Sequence, residues 1–140
     1  MQMKNDNQRI QAIEKMLVER GVRPTIHRIH IAQYVLDQAD HPTADDVLAW
    51  ANRNLPKVSR ATVYNTLREL SQAGLIREFR FPQVSKTVYD KKTEHHFHFY
   101  DQASETFLDL NNESVKVELQ LPPSFKINSV DILVSGNRSE

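Results

Sequence analysis

The chain has 140 residues, 39% of them hydrophobic and 26% charged, the composition of a folded soluble protein of one domain or two small ones. No run approaches the roughly 18 consecutive apolar residues of a membrane span, and the polar stretch 1–9 lacks an export signal, so a cytoplasmic protein with no membrane partner is expected. The net charge is zero and cysteine is absent, which excludes disulfides, thiolate zinc sites, cysteine nucleophiles and thiol redox switches.

The neutral total hides an asymmetry. Residues 1–90 carry 13 Lys+Arg against 10 Asp+Glu, whereas 91–140 carry 5 against 8. This pattern predicts a basic module over 1–90, suited to an anionic partner such as nucleic acid, and a smaller module over 91–140.

Ile10, Ile13, Met16 and Leu17 recur at helical spacing and predict an amphipathic helix from Asn7 to Glu19, ended by Gly21. A second helix is expected from about Ile26 to Leu36, with Pro24 in its tolerant first turn. Thr43 should cap a third helix, with Asp45 and Asp46 in its first turn and Val47, Leu48, Ala51 and Leu55 on its buried stripe. Pro56 ends it. Ser59 should cap a fourth from Arg60 to Ala73, stopped by Gly74 and burying Val63, Leu67 and Leu70. Leu75–Phe81 and Lys86–Tyr89 then read as two strands joined by 82–85. Three helices, a polar-faced helix after a short connection, and a hairpin make a winged helix-turn-helix.

Beyond Asp90 the pattern alternates. His96, His98 and Tyr100 share one strand face, and His95, Phe97 and Phe99 the other. Thr106–Leu110 reads as the next strand. Val115, Val117, Leu119 and Leu121 read as another, or Glu113–Leu119 as a short helix, and Ile127, Val130, Ile132 and Val134 mark a last strand. So few residues bury too little surface alone, and pairing with a second copy is expected. The fold class is therefore α+β, a winged helix followed by a β-rich dimerisation domain.

On the fourth helix, Arg60 and Arg68 are suited to base edges or phosphates, Thr62 and Tyr64 to thymine methyl groups, and Asn65 to adenine. Arg23 is placed to reach a backbone or a narrow minor groove. For metal, His96 and His98 point the same way, Asp90 lies upstream, Asp109 lies on the adjoining strand, and His41 comes from the break between the second and third helices. Three imidazoles and two carboxylates suit Fe(II), Mn(II) or Zn(II), while five donors argue against a closed tetrahedral zinc site.

The motifs Arg23-Pro24-Thr25 with Arg28, His41-Pro42-Thr43-Ala44-Asp45-Asp46, Ser59 to Leu67, Ala73-Gly74-Leu75-Ile76, Tyr89-Asp90 and His95-His96-Phe97-His98 resemble, in order, the ferric uptake regulator family. The resemblance implies a homodimeric winged-helix repressor whose affinity for a two-fold related operator on double-stranded DNA depends on bound metal. It maps the regulatory metal site onto His41, Asp90, His96, His98 and Asp109, places Arg60 and Tyr64 in the major groove, and puts Arg23 in the minor groove. Three departures stand out. The family's paired Cys-x-x-Cys zinc site is missing, its first pair falling near Asp101 and Ser104. No histidine near Ser129 or Val130 is available to pair with His95, and the C-terminal helix is shortened, as in iron response regulators.

Asp109 is similar to the choice of peroxide-sensing members, in which bound Fe(II) reacts with peroxide and oxidises a ligand histidine, here His41 or His96. The iron response regulators also lack the cysteines and use haem. Expectation leans to peroxide or iron sensing through non-haem Fe(II) or Mn(II), with Zn(II) as an alternative occupant, haem as the alternative signal, and no enzymatic activity. Two rivals remain open: a non-haem iron enzyme using His96, His98 and a carboxylate, and a metal-independent winged-helix adaptor.

Overall fold

The computed structural model describes residues 2–139, and the chain divides into two compact units, 1–93 and 94–140. In the first, α1 (Gln2–Glu19), α2 (Ile26–Gln33), a π-helical turn (Tyr34–Gln38), α3 (Ala44–Asn54) and α4 (Arg60–Gln72) precede the hairpin β1 (Arg77–Phe81) and β2 (Lys86–Asp90). Ile13 and Leu17 of α1, Ile29 and Ile31 of α2, Val35, Val47, Val63, Leu67, Leu70 and Ile76 form its core.

Local chemistry sets the boundaries. α1 begins five residues before the expected Asn7, because an apolar stripe starting at Ile10 cannot register the polar turns ahead of it. Thr25 caps α2 by accepting from the Arg28 amide, so Pro24 lies before the cap rather than in the first turn. The second helix changes at Gln33 into the π turn, which the Ala39 amide closes onto the Tyr34 carbonyl. Arg9 holds that turn through a two-pronged pair with Asp37 at 2.7 and 2.8 Å, and Tyr34 stacks on Trp50 at 4.2 Å.

α3 starts in a reciprocal capping box. Thr43 Oγ1 accepts from the Asp46 amide, and Asp46 accepts from the Thr43 amide. Val47 and Ala51 are buried, while Leu48 and Leu55 are half-buried. Ser59 caps α4, and the chain leaves it through Gly74 at φ +76°, a left-handed step suited to glycine. The Leu75 amide is spent on the Leu70 carbonyl, so β1 starts at Arg77 rather than Leu75. The hairpin pairs antiparallel from Arg77 with Asp90 to Phe81 with Lys86, turning through a short helical turn and left-handed Ser85.

The second unit is a three-stranded sheet in the order β4-β3-β5, with β3 (Phe97–Asp101), β4 (Thr106–Leu110) and β5 (Leu133–Gly136). β4 is antiparallel to β3 and β5 is parallel to it. Its later part departs from expectation. After a turn at Asn112–Ser114, residues 115–132 carry no regular secondary structure, in place of the strand or helix expected near 113–121, and the last strand holds only 133–136. Alternation is a side-chain pattern. It makes a strand only where the backbone finds a partner, and Pro122-Pro123 removes two amide donors.

Candidate metal centre and nucleic-acid face

In the second unit β3 and β4 bring three of the expected donors together. His98 and Asp109 are register partners across the pair, and His96 lies two residues earlier on the His98 side. His96 Nε2 is 2.9 Å and His98 Nε2 3.3 Å from the same oxygen, Asp109 Oδ1. Both imidazoles are buried. His96 Nδ1 lies 2.7 Å from the Glu94 carbonyl, which only accepts, so Nδ1 carries the proton. His96 Nε2 then faces a carboxylate oxygen. That arrangement requires a proton or a metal cation between them. The donor set therefore fits a divalent metal on its chemistry: two imidazole nitrogens and a carboxylate on one point, with one histidine oriented by a carbonyl.

The first unit brings together the other two. His41 sits in a left-handed turn (φ +47°), strained for a residue with a Cβ, and the Tyr89 amide fixes the following Pro42 carbonyl to β2. Its Nδ1 faces Asp40 Oδ1 at 2.7 Å and its Nε2 faces Asp90 Oδ2 at 3.0 Å. Asp90 is buried at the end of β2, where its other oxygen accepts from the Lys92 amide. Asp40 and the Glu94 carbonyl were not foreseen; neither can be read from residue spacing. His95, left without a distant partner in the sequence, lies 3.6 Å from Asp131.

The outward face of α4 presents Arg60, Tyr64, Asn65 and Arg68 to solvent. Thr62 is different: half-buried, with its hydroxyl 2.9 Å from Ser59 Oγ in the helix cap. Arg60 Nη1 donates to Tyr64 Oη at 3.2 Å and stands over the ring, 5.4 Å from its centroid. Tyr64 Oη in turn donates to Asp45 Oδ1 of α3 at 2.9 Å. That hydrogen bond, ahead of partial burial and the carboxylate's charge, pushes the phenol above its ordinary pKa. Arg23, Thr62 and Asn65 share a cleft of about 300 Å³ with Thr25, His27 and Arg28. Arg28 organises this end: it forks onto Glu69 of α4 at 3.0 and 3.1 Å and donates to the Arg23 carbonyl at 3.3 Å.

Among the described residues no helix is long and apolar enough to cross a membrane. A family model described as the ferric uptake regulator family matches residues 19–134. Over 82 residues the chain is 39% identical to the peroxide operon regulator of Bacillus subtilis, covering 59% of this chain and 56% of that protein. The chain thus spans about half the length of the curated relatives it matches. Its fold is similar to that of the Pseudomonas aeruginosa ferric uptake regulator with manganese (TM-score 0.63, 19% identity, 90% of this chain and 97% of that one). It is also similar to a zinc-bound manganese uptake regulator (TM-score 0.68, 23% identity, 91% and 98%). The family match covers most of the chain, and the chain belongs to the ferric uptake regulator family.

Proposed function

We propose that the chain is a metal-gated transcriptional repressor of the cytoplasm that binds a two-fold related operator as a homodimer and senses iron or peroxide. In this reading residues 1–90 bind DNA, and 91–140 dimerise and sense metal. Five residues would hold the metal: His41 and Asp90 from the first unit and His96, His98 and Asp109 from the second. The observation that carries the proposal is the convergence of two buried imidazole Nε2 atoms on one Asp109 oxygen, with His96 Nδ1 committed to the Glu94 carbonyl. Nitrogen and carboxylate donors favour Fe(II) or Mn(II), with Zn(II) as an alternative occupant. The manganese and zinc in the two similar structures support that choice.

A metal bound there would supply positive charge and, as iron, a centre able to react with peroxide. The protein does the rest. Glu94 orients His96, the Lys92 amide orients Asp90, and the Pro42–Tyr89 bond positions His41. Arg60 and Tyr64 would read base edges in the major groove, with Asn65 and Arg68 beside them, Thr62 supporting the helix start, and Arg23 reaching the minor groove. A second copy is supported by exposed Val117, Leu119, Leu121, Phe125 and Ile127 in the segment without regular structure. So many exposed large apolar side chains in one short stretch of chain call for a partner.

Fluorescence anisotropy on the upstream region of the protein's own gene tests the proposal. It compares metal-free with Mn(II)-loaded protein at one fixed salt concentration, because salt alone moves the phosphate contribution strongly. Tighter binding with Mn(II) is expected. Equal affinity in both states would refute metal gating.

A further inference from the structure

Asp45 is an acidic side chain on a face proposed to bind a polyanion. It is not needed to start its helix, since the capping box uses Thr43 and Asp46. It is highly exposed, and so is Arg60, so neither requires the other as a buried partner. Yet the two meet: Asp45 Oδ1 accepts from Tyr64 Oη at 2.9 Å and lies 3.5 Å from Arg60 Nη1, which itself donates to Tyr64 Oη at 3.2 Å. A carboxylate facing phosphates opposes association, so its presence at this point calls for a function.

We propose that Asp45 is a specificity-determining positioning residue of the DNA-binding face, holding Tyr64 and Arg60 in one orientation. The inference rests on the DNA-binding reading above. A guanidinium carries five donors, so with Nη1 engaged by Asp45 and Tyr64 it keeps others for a base edge. Base reading is compatible with the triad. A phosphate contact is disfavoured, because the Asp45 carboxylate 3.5 Å from Nη1 offsets the charge of Arg60 and repels the strand. Non-specific duplex therefore loses the contribution of Arg60, whereas an operator that accepts the held orientation keeps it and avoids the entropy of ordering a long side chain. A second restrained charge lies beside it: Arg80 of β1 is paired with Glu78 at 2.6 Å, and both line the same cleft as Asp45 and Tyr64.

The test uses the Mn(II)-loaded full chain and the variants Asp45→Asn and Asp45→Ser, the serine keeping a favourable residue in the first helical turn. Anisotropy is recorded over a salt series on a duplex enriched from a random pool by the wild-type protein, and on poly(dI-dC). Freeing Arg60 should raise non-specific affinity about two- to fivefold, the scale of an exposed ion pair. It should also steepen the non-specific log K against log salt slope by about 0.9, one phosphate contact. Operator affinity should fall, so the ratio of operator to non-specific affinity drops in both variants while their melting temperatures stay near wild type. A purely structural role would lower both affinities together and leave the slope unchanged, and that result overturns the proposal, as does an unchanged or increased ratio. Wild-type protein that binds neither duplex at any salt concentration would overturn the DNA-binding reading and this inference with it.

Discussion

The fork between Arg28 and Glu69 ties α2 to α4, the proposed recognition helix, and its strength follows from its geometry. Two guanidinium nitrogens meet two carboxylate oxygens at 3.0 and 3.1 Å, with side chains only 20% and 33% exposed. A fully exposed pair contributes about 0.2–1 kcal/mol, and a hydrogen bond to a charged group about 1.5–3 kcal/mol. Partial solvent screening places this pair between them, at about 1.5 kcal/mol. Arg28→Ala also removes the bond to the Arg23 carbonyl and the packing of the side-chain stem. Its total cost should be about 2 kcal/mol, or a fall in Tm of roughly 8–16 °C for a domain of this size. Arg28→Lys keeps the charge but not the fork and should recover less than half of that loss. Urea denaturation of wild type, Arg28→Ala, Glu69→Ala and the double variant isolates the coupling. A coupling of about 1–1.5 kcal/mol is expected, and a value below about 0.5 kcal/mol would refute the assignment of this fork as the strut of the recognition helix. Because the same guanidinium holds the Arg23 carbonyl, Arg28→Ala should also weaken DNA binding beyond what Glu69→Ala does.

Three further outcomes follow from single contacts. His41→Ala should leave Mn(II) bound, more weakly, by the four remaining donors, yet sharply reduce the Mn(II)-dependent gain in DNA affinity; calorimetry and anisotropy separate the two. Asp101 is held below the usual carboxylate range by the Ser104 hydroxyl above all, then by the Ala103 amide and the Arg138 charge, against burial. Its folded pKa is depressed, so its stabilisation is complete above the unfolded value of about 3.9 and fades as pH falls through the folded one. Asp101→Asn should therefore unfold at lower urea than wild type at pH 7, and the gap should narrow below about pH 4. Gly74→Ala forces a Cβ into the left-handed step after α4 (φ +76°) and should cost about 1–2 kcal/mol, read as a lower urea midpoint.

The first unit was legible because its punctuation is local. Thr43, Ser59 and Gly74 act within one helical turn, and apolar spacing places the stripes between them. The donor set on β3 and β4 was legible for a related reason: alternation aligns His96 with His98, and a tight turn between two five-residue strands brings Asp109 opposite. What escaped needed information from outside the segment. Asp45 and Tyr64 are 19 residues apart on different helices, and nothing in either helix's own pattern announces their hydrogen bond. The π turn at Tyr34 depends on a closure that helical periodicity does not distinguish from an ordinary one. The alternating segment after Val115 misled because its apolar side chains remain exposed and its backbone finds no strand.

A proposed division of donors between the units has a thermodynamic consequence. Metal binding shifts a two-state equilibrium only by the difference in its affinity for the two states, and carrying a population from 1:99 to 99:1 needs about 10⁴-fold. Had all five donors belonged to one unit, affinity would be high and equal in both states, and DNA binding would not respond. With His41 and Asp90 on one unit and His96, His98 and Asp109 on the other, the proposed partial sets would hold metal less tightly than the complete one, and the difference between three donors and five would be the free energy available to the switch. A strained His41 flanked by Asp40 and Asp90 fits this division: orientation of the first unit's donors is set within that unit, by the turn and by β2. Gating strength should therefore follow the number of donors the first unit contributes, while metal affinity follows the total.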